Sequence, residues 1–169
     1  MTAEVIRQKQ RADDATATER SVSRLAAVQA LYQMEVAHTG VSDVVAEFAK
    51  HRFEESVEDD TLAKADKLFF SELLHGVVRR QLEIDPMLQA HLASGWSLKR
   101  IDSILRACLR AAAFELIERS EVPARVVINE YIEVAHAFFE GDEPKVVNGV
   151  LDKLARKLRP AEFTEKAKG

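Results

Sequence analysis

Five histidines, one cysteine and a pair of glutamates are the side chains in this sequence best equipped for chemistry. His38, His51, His75, His91 and His136 fall on five different predicted elements. None stands at the HExxH or Cys/His spacing that a metal ion needs. Glu130 and Glu133 lie one turn apart on a predicted helix. That spacing suits paired carboxylate catalysis, but it suits a solvated helix face or pairing with Arg better. Cys108 sits among apolar neighbours in "RACLRAAAFEL" and reads as a small core residue. As the single cysteine it cannot close an internal disulfide, which fits reducing surroundings. No GxSxG, P-loop or GxGxxG occurs, and six scattered glycines cannot cradle a phosphate in a loop. The sequence therefore predicts no catalytic residue, no metal and no cofactor, and favours a binding protein over an enzyme.

Cationic residues give the first hint of what is bound. Arg20 and Arg24 lie one turn apart at the start of the first predicted helix, behind Arg7, Lys9 and Arg11. Arginines at a helix N-terminus combine their own charge with free backbone N–H donors, an arrangement that suits an RNA phosphate. The net charge of −4 does not itself suggest nucleic acid. Its distribution says more: residues 35–75 carry ten acids against four bases, and residues 76–126 carry eight bases against six acids. A bipolar surface of this kind can hold an anion on one side, although solvated helix faces alone produce the same pattern.

The elements that must position these residues are helices. Hydrophobic residues make up 47% of the 169-residue chain, and six Gly and four Pro are too few to punctuate an all-β protein. Apolar residues recur at three- and four-residue steps instead. The reading is all-α, with about seven helices near 22–37, 42–52, 62–82, 86–92, 98–119, 124–139 and 144–158. Ser21 is the expected N-cap of the first and Gly40 its stop; Asp60 or Thr61 caps the third; Asp85-Pro86 opens the fourth. "LKRIDSILRACLRAAAFELIER" is apolar around most of its circumference and is expected at the centre. Residues 1–19 read as a flexible tail, 20–158 as one helical domain and 159–169 as a second flexible tail. No apolar run approaches the roughly 18 residues of a membrane span. The N-terminus lacks the apolar core of a signal peptide, so a cytoplasmic location is expected.

"KVVNGVLDKL", residues 145–154, gives conflicting instructions. Asn-Gly between apolar residues is a strong hairpin signal. However, Val147, Val150, Leu151, Leu154 and Leu158 form a single stripe at helical period, and helix wins. A mid-helix Gly costs about 1 kcal/mol relative to Ala, so Gly149 calls for an offsetting role. Either a neighbouring helix packs closely there, or a partner approaches the backbone between Lys145 and Lys153.

Three stretches, "AAVQALYQME" (26–35), "LRAAAFELIERSEVPARVVINEYIEVAHAF" (109–138) and "KVVNGVLDKL", resemble the NusB family of transcription antitermination factors. The resemblance extends over about residues 20–158 and is weakest through 41–100. It implies two helical subdomains and joint binding of boxA RNA, in ribosomal RNA leader transcripts, with the ribosomal protein NusE. It also implies indirect assembly with other Nus factors and RNA polymerase. Carried over by position, Arg20, Arg24, Gln29 and Lys145 are expected RNA-binding residues and Asp142 lies near the partner and RNA surface. On the Gly149 face, Lys153 is added to the expected RNA-binding residues, and Val146 and Gly149 join Asp142 as the expected partner-binding ones. Ser21 and Val22 occupy positions where other members often carry Arg. Glu115, Asn129, Glu130, Asn148 and Asp152 match signature positions and are expected to be mainly structural, as buried polar groups. Two alternatives remain at this point. One is a protein-only adaptor or homodimer without RNA binding. The other is the helical accessory domain of an rRNA cytosine methyltransferase, for which the chain has neither a methyl-donor loop nor a catalytic cysteine motif.

Overall fold

The computed structural model describes residues 2–50 and 66–164, without the side chains of 12–17. Every regular element among them is helical: α1 Ala3–Ala37, α2 Val41–Phe48, α3 Lys67–His91, α4 Ser103–Glu118, α5 Ala124–Phe138, α6 Glu143–Leu158 and a closing 3-10 turn Pro160–Glu162. No strand occurs among the described residues, as the scarcity of turn residues requires. The chain divides into two compact units, residues 1–74 and 75–169. No helix of the described residues is long and apolar enough to cross a membrane.

In the first unit, α1 begins far earlier than its apolar stripe predicts. Nothing between Ala3 and Ala37 is Gly or Pro, so once the Thr2 side chain caps the Val5 N–H the helix propagates for 35 residues. Residues 3–19 are therefore helical where a tail is expected, and Ser21 lies inside the helix instead of capping it. The helix ends at His38, whose left-handed backbone (φ 53°) does the work expected of Gly40. Gly40 instead precedes α2. The expected caps Asp60 and Thr61 lie outside the described residues. At the start of α3, Asp66 Oδ1 accepts the Phe69 N–H at 2.9 Å. The buried Ser23 hydroxyl donates to the Asp66 carbonyl at 2.8 Å, tying this helix start to α1. Phe48 of α2 stacks on Phe70, with centroids 5.4 Å apart.

In the second unit, α4, α5 and α6 pack on one another, and α4 is the buried centre that its composition foretold. Gly76 allows α3 to approach closely: a Cβ there would meet Phe114 Cε2 at 2.1 Å. Two helices expected over 62–82 and 86–92 are one, because α3 runs straight through Pro86. Pro86 lacks the N–H that would bond the carbonyl four residues back, on Leu82. Leu82 is 95% exposed, on a face where water can serve that carbonyl. The flanking Asp85 is held bidentately by Arg110 at 2.8 Å and 2.8 Å.

The expected flexible tail from 159 starts with one of the most bonded side chains in the unit. Arg159, 9% exposed, donates to the carbonyls of Leu116 (3.0 Å), Glu115 (2.9 Å), Arg119 (2.8 Å) and Val122. It thereby adds a charged donor to carbonyls after the last turn of α4, of which Glu115 and Arg119 also accept the backbone N–H groups of Arg119 and Val122, and places a cation at the negative pole of that helix. Glu162 accepts the Ala124 N–H at 2.9 Å, at the start of α5, and pairs with Arg159 at 3.2 Å. Residues 165–169 lie outside the described residues.

Candidate nucleic-acid interface

The two expected RNA-binding arginines in the first unit have different surroundings. Arg20 and Arg24, one turn apart on α1, both lay their guanidinium groups on the Phe69 ring, at 5.2 Å and 5.1 Å from its centroid. Arg24 is only 3% exposed, so a phosphate contact would need it to leave that ring. Arg20 is half-buried, and its Nε is buried with no hydrogen-bond partner among the described residues. Gln29, further along α1, is half-buried. Arg7, Lys9 and Arg11 are exposed along the N-terminal part of the same helix.

In the second unit, the remaining expected site residues come together on α6. Asp142 stands at its start without capping it through a side chain. The Lys145 ammonium lies 3.6 Å from its carboxylate, with both groups almost fully in water. A pair this exposed contributes little to stability and leaves Lys145 able to exchange Asp142 for a phosphate. One turn on, Gly149 is exposed, and a Cβ there would meet nothing within 4 Å. Close packing of a neighbouring helix is thus excluded as the reason for Gly149 among the described residues.

The absence of that side chain opens a groove of about 190 Å³, walled by His91, Trp96, Val146, Gly149, Val150 and Lys153. Of the expected residues, Val146, Gly149 and Lys153 share this groove. Its far wall is the loop between α3 and α4. Gly95, at φ 85°, makes a turn there that other residues rarely adopt. Gln89 donates to the Trp96 carbonyl at 2.9 Å and accepts the Leu98 N–H at 2.8 Å. Arg106, buried in α4, donates to the carbonyls of Leu98 (2.8 Å) and Ile101 (3.0 Å) and to Ser103 Oγ (3.2 Å). With both sides of the loop fixed, Trp96 is presented 46% exposed. The available signal for it was a lone tryptophan set in a polar break, the kind of exposed aromatic that marks contact surfaces.

His91 contributes the groove's polar group. Burial first, then the charges of Lys157 and Lys153, hold its imidazole below the ordinary range, so it is neutral at neutral pH. Its Nε2 is buried and has no hydrogen-bond partner among the described residues. No group of three or more potential metal ligands occurs among the described residues.

The expected basic surface over 76–126 is largely consumed by internal bonds. Arg79 and Arg80 both bind Glu118, at 2.7 Å and 2.6 Å; Arg110 binds Asp85, Arg119 pairs with Glu121 at 3.1 Å, and Arg106 is buried. Net sequence charge there measures packing more than it measures an anion site.

The sequence profile of the NusB family matches residues 21–156. The chain belongs to the NusB family. A curated relative, the transcription antitermination protein NusB of Caulobacter vibrioides, is 57% identical over 140 residues, spanning 83% of this chain and 94% of that protein. Among solved structures, T. maritima NusB superposes with a TM-score of 0.68 at 30% identity, over 85% of this chain and 96% of that one. A second is a crystal structure of the antitermination factors NusB and NusE in complex with dsRNA. It matches with a TM-score of 0.63 at 25% identity, over 81% of this chain and 96% of that one.

Within the NusB signature positions, burial corrects the expectation that most are buried polar groups. Glu115 is fully buried, but Asn129 and Asn148 are exposed. Glu130 and Asp152 are intermediate, and Asp152 pairs with Arg156 one turn on at 3.0 Å. Asn148 faces solvent because the buried stripe of α6 runs through Val147, Val150, Leu151 and Leu154 instead.

Proposed function

We propose that this protein is a non-enzymatic transcription antitermination factor. It binds boxA RNA of ribosomal RNA leader transcripts together with NusE, and acts through other Nus factors on RNA polymerase in the cytoplasm. The observation that carries this reading is membership of the NusB family, combined with a fold match to a NusB–NusE–dsRNA complex. The site geometry supports it through the α6 surface, where Asp142, Lys145, Val146, Gly149 and Lys153 form a cationic and apolar face. Arg20 and Gln29 are the α1 residues proposed to add RNA contacts; Arg24 acts by holding Phe69 and so keeping Arg20 in place. A gel shift with boxA RNA tests the reading. The protein alone should retard the RNA weakly, and adding NusE should tighten binding at least tenfold, about 1.4 kcal/mol. No shift with NusE present would refute it.

A second reading, self-association, is favoured by Val78 and Leu82, which expose an apolar pair one turn apart on α3. Light scattering tests it: an L82E variant should remain monomeric at concentrations where the unmodified protein forms dimers. An equal mass for both would dismiss this reading.

A further inference from the structure

We propose that the groove beside Gly149 receives one unstacked base of a single-stranded RNA segment, laid against Trp96. The inference rests on the RNA-binding reading above and names what the groove recognises.

Four observations point to a base. First, the size fits: about 190 Å³ is below the roughly 300–1,000 Å³ of a typical small-molecule site. It has room for one ring system and not for a docked helix. Second, the walls combine an exposed indole with the apolar side chains of Val146 and Val150, and the open floor at Gly149 leaves space for a flat ligand. Recognition of single strands works through aromatic platforms of this kind. Third, charge complements a nucleotide. Lys153 lines the groove, Lys145 stands two turns earlier on α6, and Lys157 lies near enough to act on His91. A phosphate flanking the inserted base would therefore meet cations on one helix. Fourth, His91 Nε2 is a polar atom without a partner among the described residues.

The loop that carries Trp96 is fixed in advance by Gln89 and Arg106, so a base stacks there without first ordering the loop. An apolar side chain from a protein partner would fill the walls equally well, but it leaves the lysines and His91 Nε2 without a role. On these grounds Val146 and Gly149, expected from sequence to face the protein partner, are reassigned to the RNA.

Trp96 is the only tryptophan of the chain, which makes it a direct reporter. Tryptophan emission is followed while boxA RNA is titrated into the full chain preassembled with NusE. A parallel W96F complex supplies the background from NusE. The expected result is that RNA quenches the Trp96 component. W96A should weaken boxA binding by roughly 5- to 150-fold, the span associated with loss of one base–aromatic stack, and W96F should retain most of the affinity. Unchanged Trp96 emission on saturation with RNA overturns the proposal while leaving the RNA-binding function intact, as does full affinity in W96A. Emission that responds to NusE and not to RNA assigns the groove to the protein partner and also overturns it. Failure of every variant and of the unmodified protein to shift boxA RNA removes both this inference and the functional reading beneath it.

Discussion

Replacing Gly149 with Leu separates the two roles a mid-helix glycine can play, and the structure predicts both outcomes in advance. A Cβ at Gly149 meets nothing within 4 Å, so the larger side chain does not clash with its surroundings. Leu is favoured over Gly inside a helix by about 0.8 kcal/mol. For a chain of this length that corresponds to a rise in Tm of roughly 2–3 °C. The same side chain projects into a groove of about 190 Å³ and occupies much of it. Binding of boxA RNA with NusE should then fall by about tenfold or more, a loss near 1.4 kcal/mol. Thermal denaturation followed by circular dichroism, alongside fluorescence anisotropy with labelled boxA RNA, reads both effects. Gly149→Ala is the control, because it gives the helix-propensity gain while leaving most of the groove open. If Gly149→Leu lowers Tm by several degrees, the open space at Gly149 is wrong and packing accounts for the glycine. If it raises Tm and binds RNA normally, the groove is not part of the interface.

Three further expectations follow from the packing and titration behaviour. Arg159→Ala removes a charged donor from four carbonyls at the end of α4 and in the α4–α5 connection, two of which keep a backbone N–H donor. Bonds from a charged donor contribute about 1.5–3 kcal/mol each but are not additive, and exposed carbonyls regain water; a net loss of about 2–4 kcal/mol should lower Tm by roughly 5–12 °C. A change within 1 °C would contradict the clamp. The bond from the Ala124 N–H, reinforced by Arg159, holds the Glu162 carboxyl below its ordinary value of 4.5. A depressed carboxyl stabilises the fold above its unfolded pKa and loses that contribution as pH falls through the lower folded value. Stability measured from pH 6 downwards should therefore fall more steeply below 4.5 than in Glu162→Gln, and identical slopes would refute the linkage. Burial pushes the Cys108 thiol up to about 12, so iodoacetamide at pH 8 should leave the native protein unmodified and alkylate it once urea has unfolded it. Rapid native labelling would show that α4 is not the closed centre described above.

How much of this was legible in the sequence depended on whether a residue's role was local. The periodicity of α4, α5 and α6 and the buried stripe through Val147, Leu151 and Leu154 were legible because the 3.6-residue repeat is a local property. Family resemblance then supplied a function that no side-chain constellation here declares. The boundaries were read less well. Ser21 looks like an N-cap, but capping is a choice among starts, and Thr2 provides an earlier start with no breaker between. Pro86 looks like a helix boundary, but its missing hydrogen bond falls beside the exposed Leu82, where water makes the omission cheap. The largest misreadings concern arginines. Arg24, Arg106 and Arg159 look like surface charge in a linear chain, but they hold Phe69, the loop before α4, and the α4–α5 connection. Each of those partners is either far away in sequence or a backbone carbonyl, which has no sequence signature. The groove escaped for the same reason. Trp96 and Gly149 are more than fifty residues apart, and only the fold makes them walls of one site.

Specific RNA binding in company with NusE is tested by an equilibrium titration of boxA RNA and a scrambled RNA of equal length against the protein–NusE pair, repeated at several salt concentrations. BoxA should bind more tightly than the scrambled strand, with an affinity that declines as salt rises because each neutralised phosphate releases counterions. Equal affinity for the two RNAs, or binding indifferent to salt, would contradict it.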